Sequence, residues 1–142
     1  MSAAAELFRT VRARADGRCQ YCLMHESLQG ATFHVEHVTP RCKGGLSDLS
    51  NLALACPGCN LRKSSRTTAV DPATGKAAQL FHPVAQRWWD HFRLDGCQVE
   101  GSTAEGRGTV HALDLNHFRR LRIREVEKSF GLFPPVLKDF LR

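Results

Sequence analysis

Four of the chain's six cysteines fall into two identical pairs, Cys19 with Cys22 and Cys56 with Cys59, each enclosing two residues. Cysteine thiolates bind zinc tetrahedrally, and two such pairs separated by 33 residues have the spacing of a four-thiolate structural site. Six cysteines also allow three disulfides in a secreted protein, but the N-terminus lacks the basic start and apolar stretch of a secretory signal. Reduced, zinc-bound thiolates are therefore the preferred interpretation.

Between the two pairs, and just after the second, lie side chains suited to acid–base and metal chemistry. A histidine titrates near neutral pH, so its neutral ring can accept a proton from water, and carboxylate and amide oxygens suit hard cations. Taken singly, a Glu–His pair is usually solvated surface, and an asparagine usually belongs to a turn or begins a helix. Their common order along the chain carries the information. These residues are His34, Glu36, His37, Asn51 and Asn60.

In order, residues 19 to 63 give C-x2-C, H-x-E-H-x-x-P, G-G, N-L and C-x2-C-N-x2-K. This order resembles the HNH endonuclease family, whose core is the ββα-metal motif. Two later segments, from Phe81-His82-Pro83 to Phe92 and from Gly106 to Thr109, resemble a stand-alone bacterial branch of that family. The resemblance implies a metal-dependent enzyme that hydrolyses DNA phosphodiesters and leaves 5′-phosphate and 3′-hydroxyl ends.

The resemblance also implies a role for each residue of the motif. His37 corresponds to the family's first histidine and is expected to be the general base that activates water. Glu36 and Asn60 are expected to hold a catalytic Mg²⁺ or Mn²⁺, and Asn51 to orient the histidine by bonding across the loop. Because Asn60 stands where the family often has its last histidine, the chain is an H-N-N variant. Zinc on the four cysteines is then the structural metal.

His34 has two interpretations. In an extended strand it shares a face with Glu36, which would make it a further ligand of the catalytic metal or a contact to substrate. It is equally interpretable as a packed strand histidine. A histidine ligand would make softer metals such as manganese, nickel or zinc more competitive.

The charge of the chain favours a polyanionic partner, and DNA is the expected one. There are 20 Lys and Arg against 14 Asp and Glu, a formal +6 that falls to about +4 with zinc on four thiolates. Four arginines at 119, 120, 122 and 124 either extend a DNA-binding face or only solubilise a helix. Five basic residues flank the proposed site and suggest a phosphate track, although each alone is also consistent with solvated surface: Arg41, Lys43, Arg62, Lys63 and Arg66.

The pattern of elements predicts an α+β fold. Its parts are a zinc-stapled ββα-metal HNH core with an N-terminal helix, and a C-terminal extension of hairpin and helices packed on the core. Residues 1–70 are expected to form the core and residues 71–142 the extension. The turn-rich stretch over 70–75 is the candidate boundary.

Within the core, the sequence predicts a helix over 3–15 that is capped by Ser2. A short strand is predicted over 31–36 because of its β-branched and aromatic residues, and a helix over 60–66. Three leucines in or beside the intervening loop are expected to be buried: Leu46, Leu49 and Leu52.

Within the extension, the pair Asp95-Gly96 between short apolar runs predicts a β-hairpin. A basic and mainly helical segment is predicted over 109–128, and a short C-terminal helix after Pro134-Pro135. A helix predicted over 84–92 carries three aromatic residues that are expected to be core rather than base-stacking surface: Trp88, Trp89 and Phe92.

A membrane-spanning protein is excluded by the sequence, since no run approaches the roughly 20 apolar residues that a spanning helix requires. The chain is expected to be cytoplasmic, with a homodimer as one route to cutting both DNA strands. One alternative is a non-catalytic zinc module that binds nucleic acid, which would have no need of Glu36, His37 and the two asparagines. Another is a subunit of a restriction or phage complex that is active only with its partners.

Overall fold

The structure is a computed structural model that describes residues 2–136, and the C-terminal helix predicted beyond Pro135 lies outside that range. Helices and small antiparallel sheets alternate along the described chain, which confirms the predicted α+β class. The helices are α1 (Ala3–Ala15), α2 (Pro57–Lys63), α3 (Trp88–His91), α4 (Ala104–Ala112) and α5 (Phe118–Ser129). The strands are β1 (His34–His37), β2 (Leu52–Ala55), β3 (Thr68–Val70), β4 (Ala77–Gln79), β5 (Phe92–Asp95) and β6 (Gln98–Gly101).

Helix α1 begins and ends where the sequence predicts. The Ser2 side chain accepts a hydrogen bond from the Ala5 backbone N–H at 3.1 Å, which satisfies one of the N–H groups that a helix start leaves free. Asp16 adopts a left-handed conformation with φ of 55° and ends the helix. Val11 and Ala15 are fully buried, so one face of α1 packs on the core.

Strands β1 and β2 pair antiparallel and lead directly into α2, which gives the ββα arrangement. Glu36 lies opposite Ala53 in this pair. Helix α2 begins three residues earlier than predicted, at Pro57, because proline suits the first position of a helix and the preceding Cys56 caps it. The Cys59 backbone N–H donates to the Cys56 sulfur at 3.4 Å.

The loop between β1 and β2 passes close to its own start at Gly45. A Cβ atom at this position would lie 1.8 Å from the Thr39 carbonyl oxygen, so only glycine fits. Leu52 is buried as predicted, but the prediction is wrong for Leu46 and Leu49, which are 68% and 41% exposed. Hydrogen bonds from an asparagine side chain hold this loop in place of apolar contacts.

Two hairpins occupy the middle of the described chain. Strands β3 and β4 pair on either side of a turn at Asp71, whose buried carboxylate accepts hydrogen bonds from Arg107 at 2.9 Å. The stretch proposed as a domain boundary is therefore the turn of this hairpin. Strands β5 and β6 form the hairpin predicted at Asp95-Gly96, where Gly96 has the positive φ that such a turn requires.

The helices of the second half differ from prediction in their extent. Helix α3 covers only four residues of the predicted 84–92 helix, because Phe92 already begins β5. The helix predicted over 109–128 is divided into α4 and α5. The division comes where Asp114 takes a left-handed φ of 48°, a conformation that a continuing helix does not allow.

One hydrophobic cluster joins the two halves of the described chain, and the four cysteines are part of it. Trp88 and Phe92 are buried in this cluster and Trp89 is half-buried against it, which confirms their predicted core role. The Trp88 indole N–H donates to the Tyr21 carbonyl oxygen at 2.9 Å and so ties α3 to the first cysteine pair. Among residues 2–136, no helix has the length and apolar content needed to cross a bilayer.

Candidate metal centre and active site

The four paired cysteines converge on one point in the interior. All four side chains are fully buried, and their sulfur atoms lie within 4.8 Å of one another. The Cys22 and Cys56 sulfurs are 3.7 Å apart, close to the roughly 3.8 Å that tetrahedral Zn–S bonds of about 2.3 Å impose. Within the described residues this is the one group of three or more His, Cys, Asp or Glu side chains placed to hold a metal. The geometry fits a structural zinc ion.

The chemistry of these thiols also calls for a cation. Burial raises the pKa of Cys19 and Cys59 well above the ordinary value, because a charged sulfur is poorly stabilised away from water. Hydrogen bonds from the neighbouring thiols hold the pKa of Cys56 well below its usual range. Four thiols in such a dry setting do not all ionise unless a positive charge joins them. A divalent zinc ion supplies that charge.

Two arginines of α5 face the cysteines from the second half of the chain. The Arg120 guanidinium donates to the Cys59 sulfur at 3.4 Å and to the Leu113 carbonyl oxygen at 3.0 Å. Burial lowers the pKa of Arg120, but the surrounding thiolates together outweigh it and raise the pKa above the ordinary value. Arg124 is fully buried and donates to the Leu115 carbonyl oxygen. Arg120 therefore offsets part of the negative charge that zinc leaves on four thiolates, and Arg124 interacts electrostatically with Cys22 and Cys59 although burial lowers its pKa.

This charge compensation is what the sequence interpretation missed. Arg120 and Arg124 stand in a run of arginines that suggested either a DNA-binding face or a solubilising surface. They are four residues apart and so lie on one face of α5, whereas their exposed neighbours Arg119 and Arg122 lie elsewhere. The sequence did contain a signal for this role. Arg120 and Arg124 are one helical turn apart and follow the apolar Leu113 and Leu115, whereas Arg119 and Arg122 fall on other faces of the helix.

Glu36 lies in β1 and faces the interior, with only 8% of its side chain exposed. One carboxylate oxygen accepts a hydrogen bond from the Tyr21 hydroxyl at 2.5 Å, and the other lies 3.7 Å from the Lys63 ammonium of α2. Burial raises the pKa of Glu36, while Lys63 and Tyr21 act in the opposite direction. Burial likewise lowers the pKa of Lys63, and Glu36 opposes that. The two side chains are thus a buried ion pair that joins β1 to α2.

His37 follows directly and is half-buried, on the opposite side of the strand from Glu36. Its Nε2 atom is 2.7 Å from the Ser47 hydroxyl oxygen. The His37 carbonyl oxygen lies 3.4 Å from the Lys63 nitrogen, so the lysine contacts both members of the Glu–His pair. This part of β1 is consequently held from the side of α2 and from the side of the loop.

Asn51 bonds across the loop that follows β1. Its amide oxygen accepts from the Thr39 N–H at 2.8 Å, and its amide nitrogen donates to the carbonyl oxygens of Thr39 and Leu46 at 3.0 and 2.9 Å. The side chain is 8% exposed, so these bonds are shielded from water. Thr39 is two residues beyond His37. Asn51 therefore fixes the backbone on which His37 is carried.

The other two candidate ligands are Asn60 and His34. Asn60 is half-buried in α2, one turn before Lys63, and no hydrogen bond joins its side chain to Glu36 within residues 2–136. His34 is exposed at the start of β1, whereas Glu36 is buried. Glu36 and His37 are neighbours in the sequence, and Glu36 contacts α2 through Lys63. His34 differs from Glu36 in being exposed to solvent.

The basic residues proposed as a phosphate track have different surroundings. Three are exposed, while Arg62 is half-buried and 3.7 Å from Asp114, and Lys63 is buried against Glu36. Lys63 is accordingly directed inward in this arrangement. The exposed members of the set are Arg41, Lys43 and Arg66.

Comparison with known proteins gives one family. Residues 19–66, about a third of the chain, match the family model for the HNH endonuclease. This interval begins at the first cysteine pair, contains β1, β2 and α2, and ends just beyond Lys63. No curated protein and no solved structure matches the chain.

Proposed function

Because residues 19–66 match the HNH endonuclease family, we propose that this protein is a metal-dependent endonuclease that hydrolyses phosphodiester bonds of DNA. The observation that carries the proposal is the pair Glu36 and His37 on β1. The strand holds a buried carboxylate toward α2 and a half-buried imidazole on its other side. A zinc-binding module without catalysis has no need of this pair or of the loop that Asn51 fixes.

His37 is the proposed general base. Its Nε2 nitrogen faces the Ser47 hydroxyl, so a neutral ring that donates its Nε2 proton to Ser47 leaves Nδ1 free to accept a proton from water. That water attacks phosphorus in line with the departing 3′ oxygen. The products are a 5′-phosphate and a 3′-hydroxyl end. Asn51 is a positioning residue, because it contacts the backbone beyond His37 and not the ring.

Glu36 and Asn60 are the proposed holders of a divalent ion, Mg²⁺ or Mn²⁺, since both supply oxygen ligands from facing elements. When bound, such an ion neutralises charge on the phosphate and on the leaving oxygen. The buried Lys63 ammonium is the present counter-charge of Glu36. It opposes the rise that burial causes in the pKa of Glu36 and holds the carboxylate between β1 and α2.

The proposal is tested by His37→Ala with supercoiled plasmid and Mg²⁺ or Mn²⁺. We expect cleavage to fall by ~10²–10⁴-fold, the usual contribution of a general base, with zinc content and circular dichroism unchanged. His111→Ala is the matched control, because His111 is exposed on α4. Full cleavage by the His37 variant would remove the base assignment. Binding of DNA by the original protein with no cleavage in any divalent metal would favour the non-catalytic zinc module.

A further inference from the structure

A small cavity lies where the family-matched segment meets the second half of the chain. Its volume is ≈ 50 Å³, enough for a water molecule or the oxygens of one phosphate group. It begins directly after His37, at Val38 and Thr39. The remaining lining residues are Lys63, Arg66, Thr67, Gln79, Leu80 and His82.

The lining of this cavity favours an anion. Among residues 2–136 it includes two cations, Lys63 and Arg66, and no carboxylate. Glu36 offsets the charge of Lys63, and within the described part of the chain no salt bridge offsets the charge of the exposed Arg66 at the mouth. Its guanidinium donates to the carbonyl oxygens of Arg62 and Ala112 at 2.6 and 3.0 Å, which holds it in place.

His82 lines the cavity and has no role in the proposed reaction. Its Nδ1 atom accepts hydrogen bonds from the backbone N–H groups of Val84 at 3.3 Å and Ala85 at 3.0 Å. A ring that accepts at Nδ1 carries its proton at Nε2, which is then a donor. Burial lowers the pKa of His82, and the nearby Lys63 ammonium lowers it further, so the ring stays neutral at pH 7.

We propose that His82 is a substrate-binding residue that donates its Nε2 proton to a DNA backbone phosphate beside the one that is cut. The second half of the chain then completes the substrate cleft. The inference rests on the proposed function, because it takes DNA as the substrate. A neutral donor binds phosphate without releasing a counterion, whereas the cation Arg66 releases one. Loss of the His82 contact should therefore weaken DNA affinity equally at every salt concentration, whereas loss of Arg66 should change how steeply the affinity depends on salt.

The competing explanation is that His82 only caps the turn formed with Val84 and Ala85. His82→Asn distinguishes turn capping from phosphate binding. The asparagine amide oxygen replaces Nδ1 as the acceptor, but the shorter side chain has no atom at the Nε2 position. The measurement is DNA affinity at several salt concentrations, with zinc-loaded full-length protein. A His37→Ala background prevents cleavage during the titration.

We expect His82→Asn to weaken binding about tenfold at every salt concentration, as loss of one hydrogen bond to a charged group does. The slope of log K against log salt should not change, and the melting temperature and zinc content should stay the same. Arg66→Ala should instead reduce that slope by about 0.9. His111→Asn should alter neither quantity.

An unchanged affinity in His82→Asn, with unchanged melting temperature, would leave only the turn-capping role and overturn the inference. Failure of the proposed function is distinguishable from this outcome. If the protein with His37 intact binds DNA through His82 but cuts none, the binding residue stands and the nuclease proposal falls. If it cuts DNA and His82→Asn leaves KM unaltered, the nuclease stands and the cleft residue falls.

Discussion

The cysteine cluster and the Glu36–His37 pair lie on neighbouring elements, yet they differ in burial and in the groups that their side chains contact. Four thiols already converge within 4.8 Å, fully buried, with arginines behind them. Glu36 instead has its two oxygens on Tyr21 and Lys63, and His37 remains half-exposed beside Ser47. A closed four-ligand site suits a structural metal, while a site that acts on substrate keeps positions open. The cysteine cluster has the closed form of a structural site, whereas the proposed reaction would take place beside the half-exposed His37.

Removal of one cysteine from the cluster should have the largest effect on the protein. We expect Cys59→Ser to lose zinc and to unfold or aggregate, since structural zinc contributes about 10–16 kcal/mol in small domains and the whole free energy of unfolding is about 5–15 kcal/mol. Zinc content by mass spectrometry and circular dichroism are the measurements. Cys42→Ser is the control, because Cys42 is exposed and outside the cluster. A folded, zinc-loaded Cys59 variant would contradict the structural role of the site.

Removal of one buried guanidinium should have the next largest effect. We expect Arg120→Met to lower the free energy of unfolding by about 3–5 kcal/mol, the cost of leaving one partner of a buried charge pair uncompensated. Zinc should also transfer faster to a chelator. Arg119→Met is the matched control on the same helix, because the exposed Arg119 guanidinium lies over the Phe118 ring, 5.6 Å from its centroid. Equal chelation rates for the two variants would show that Arg120 does not stabilise the thiolates.

Removal of the Asn51 side chain, which holds the loop after β1, should reduce DNA cleavage while the protein stays folded. Asn51→Ala removes three hydrogen bonds and should lower the free energy of unfolding by about 2–4 kcal/mol. Cleavage should fall by about 10²-fold because His37 is displaced, with zinc retained. The control is Asn116→Ala, which removes two comparable bonds to Val99 far along the chain. If both variants lose stability and both keep their cleavage rate, Asn51 does not position the base.

The sequence predicted well what local chemistry decides. Ser2 marks the start of α1, Asp95-Gly96 marks a hairpin, and the paired cysteines mark the buried cluster. It predicted poorly what depends on distant partners. The inward direction of Lys63 requires Glu36 opposite it, and that contact arises only when β1 packs on α2. No periodicity within either segment contains this information.

The arginines of α5 teach the same lesson across a longer separation. Arg120 is 61 residues from Cys59, so helical spacing could set Arg120 apart from its neighbours, but the cysteine cluster as its partner is visible only in the packed fold. Leu46 and Leu49 show the converse error. Apolar type suggested burial, but a loop that an asparagine already holds does not need them inside.

The hydrogen bond from Trp88 to Tyr21 gives the protein an optical reporter of its own. Tyr21 lies between two zinc ligands, and its hydroxyl holds Glu36. The chain's two tryptophans are neighbours, and Trp88 is 1% exposed in contact with Trp89 and Phe92. The emission of Trp88 therefore comes from a dry environment fixed to the first cysteine pair, with the half-buried Trp89 beside it. Unlabelled protein can reveal by fluorescence whether the zinc-bound half and the second half are still docked.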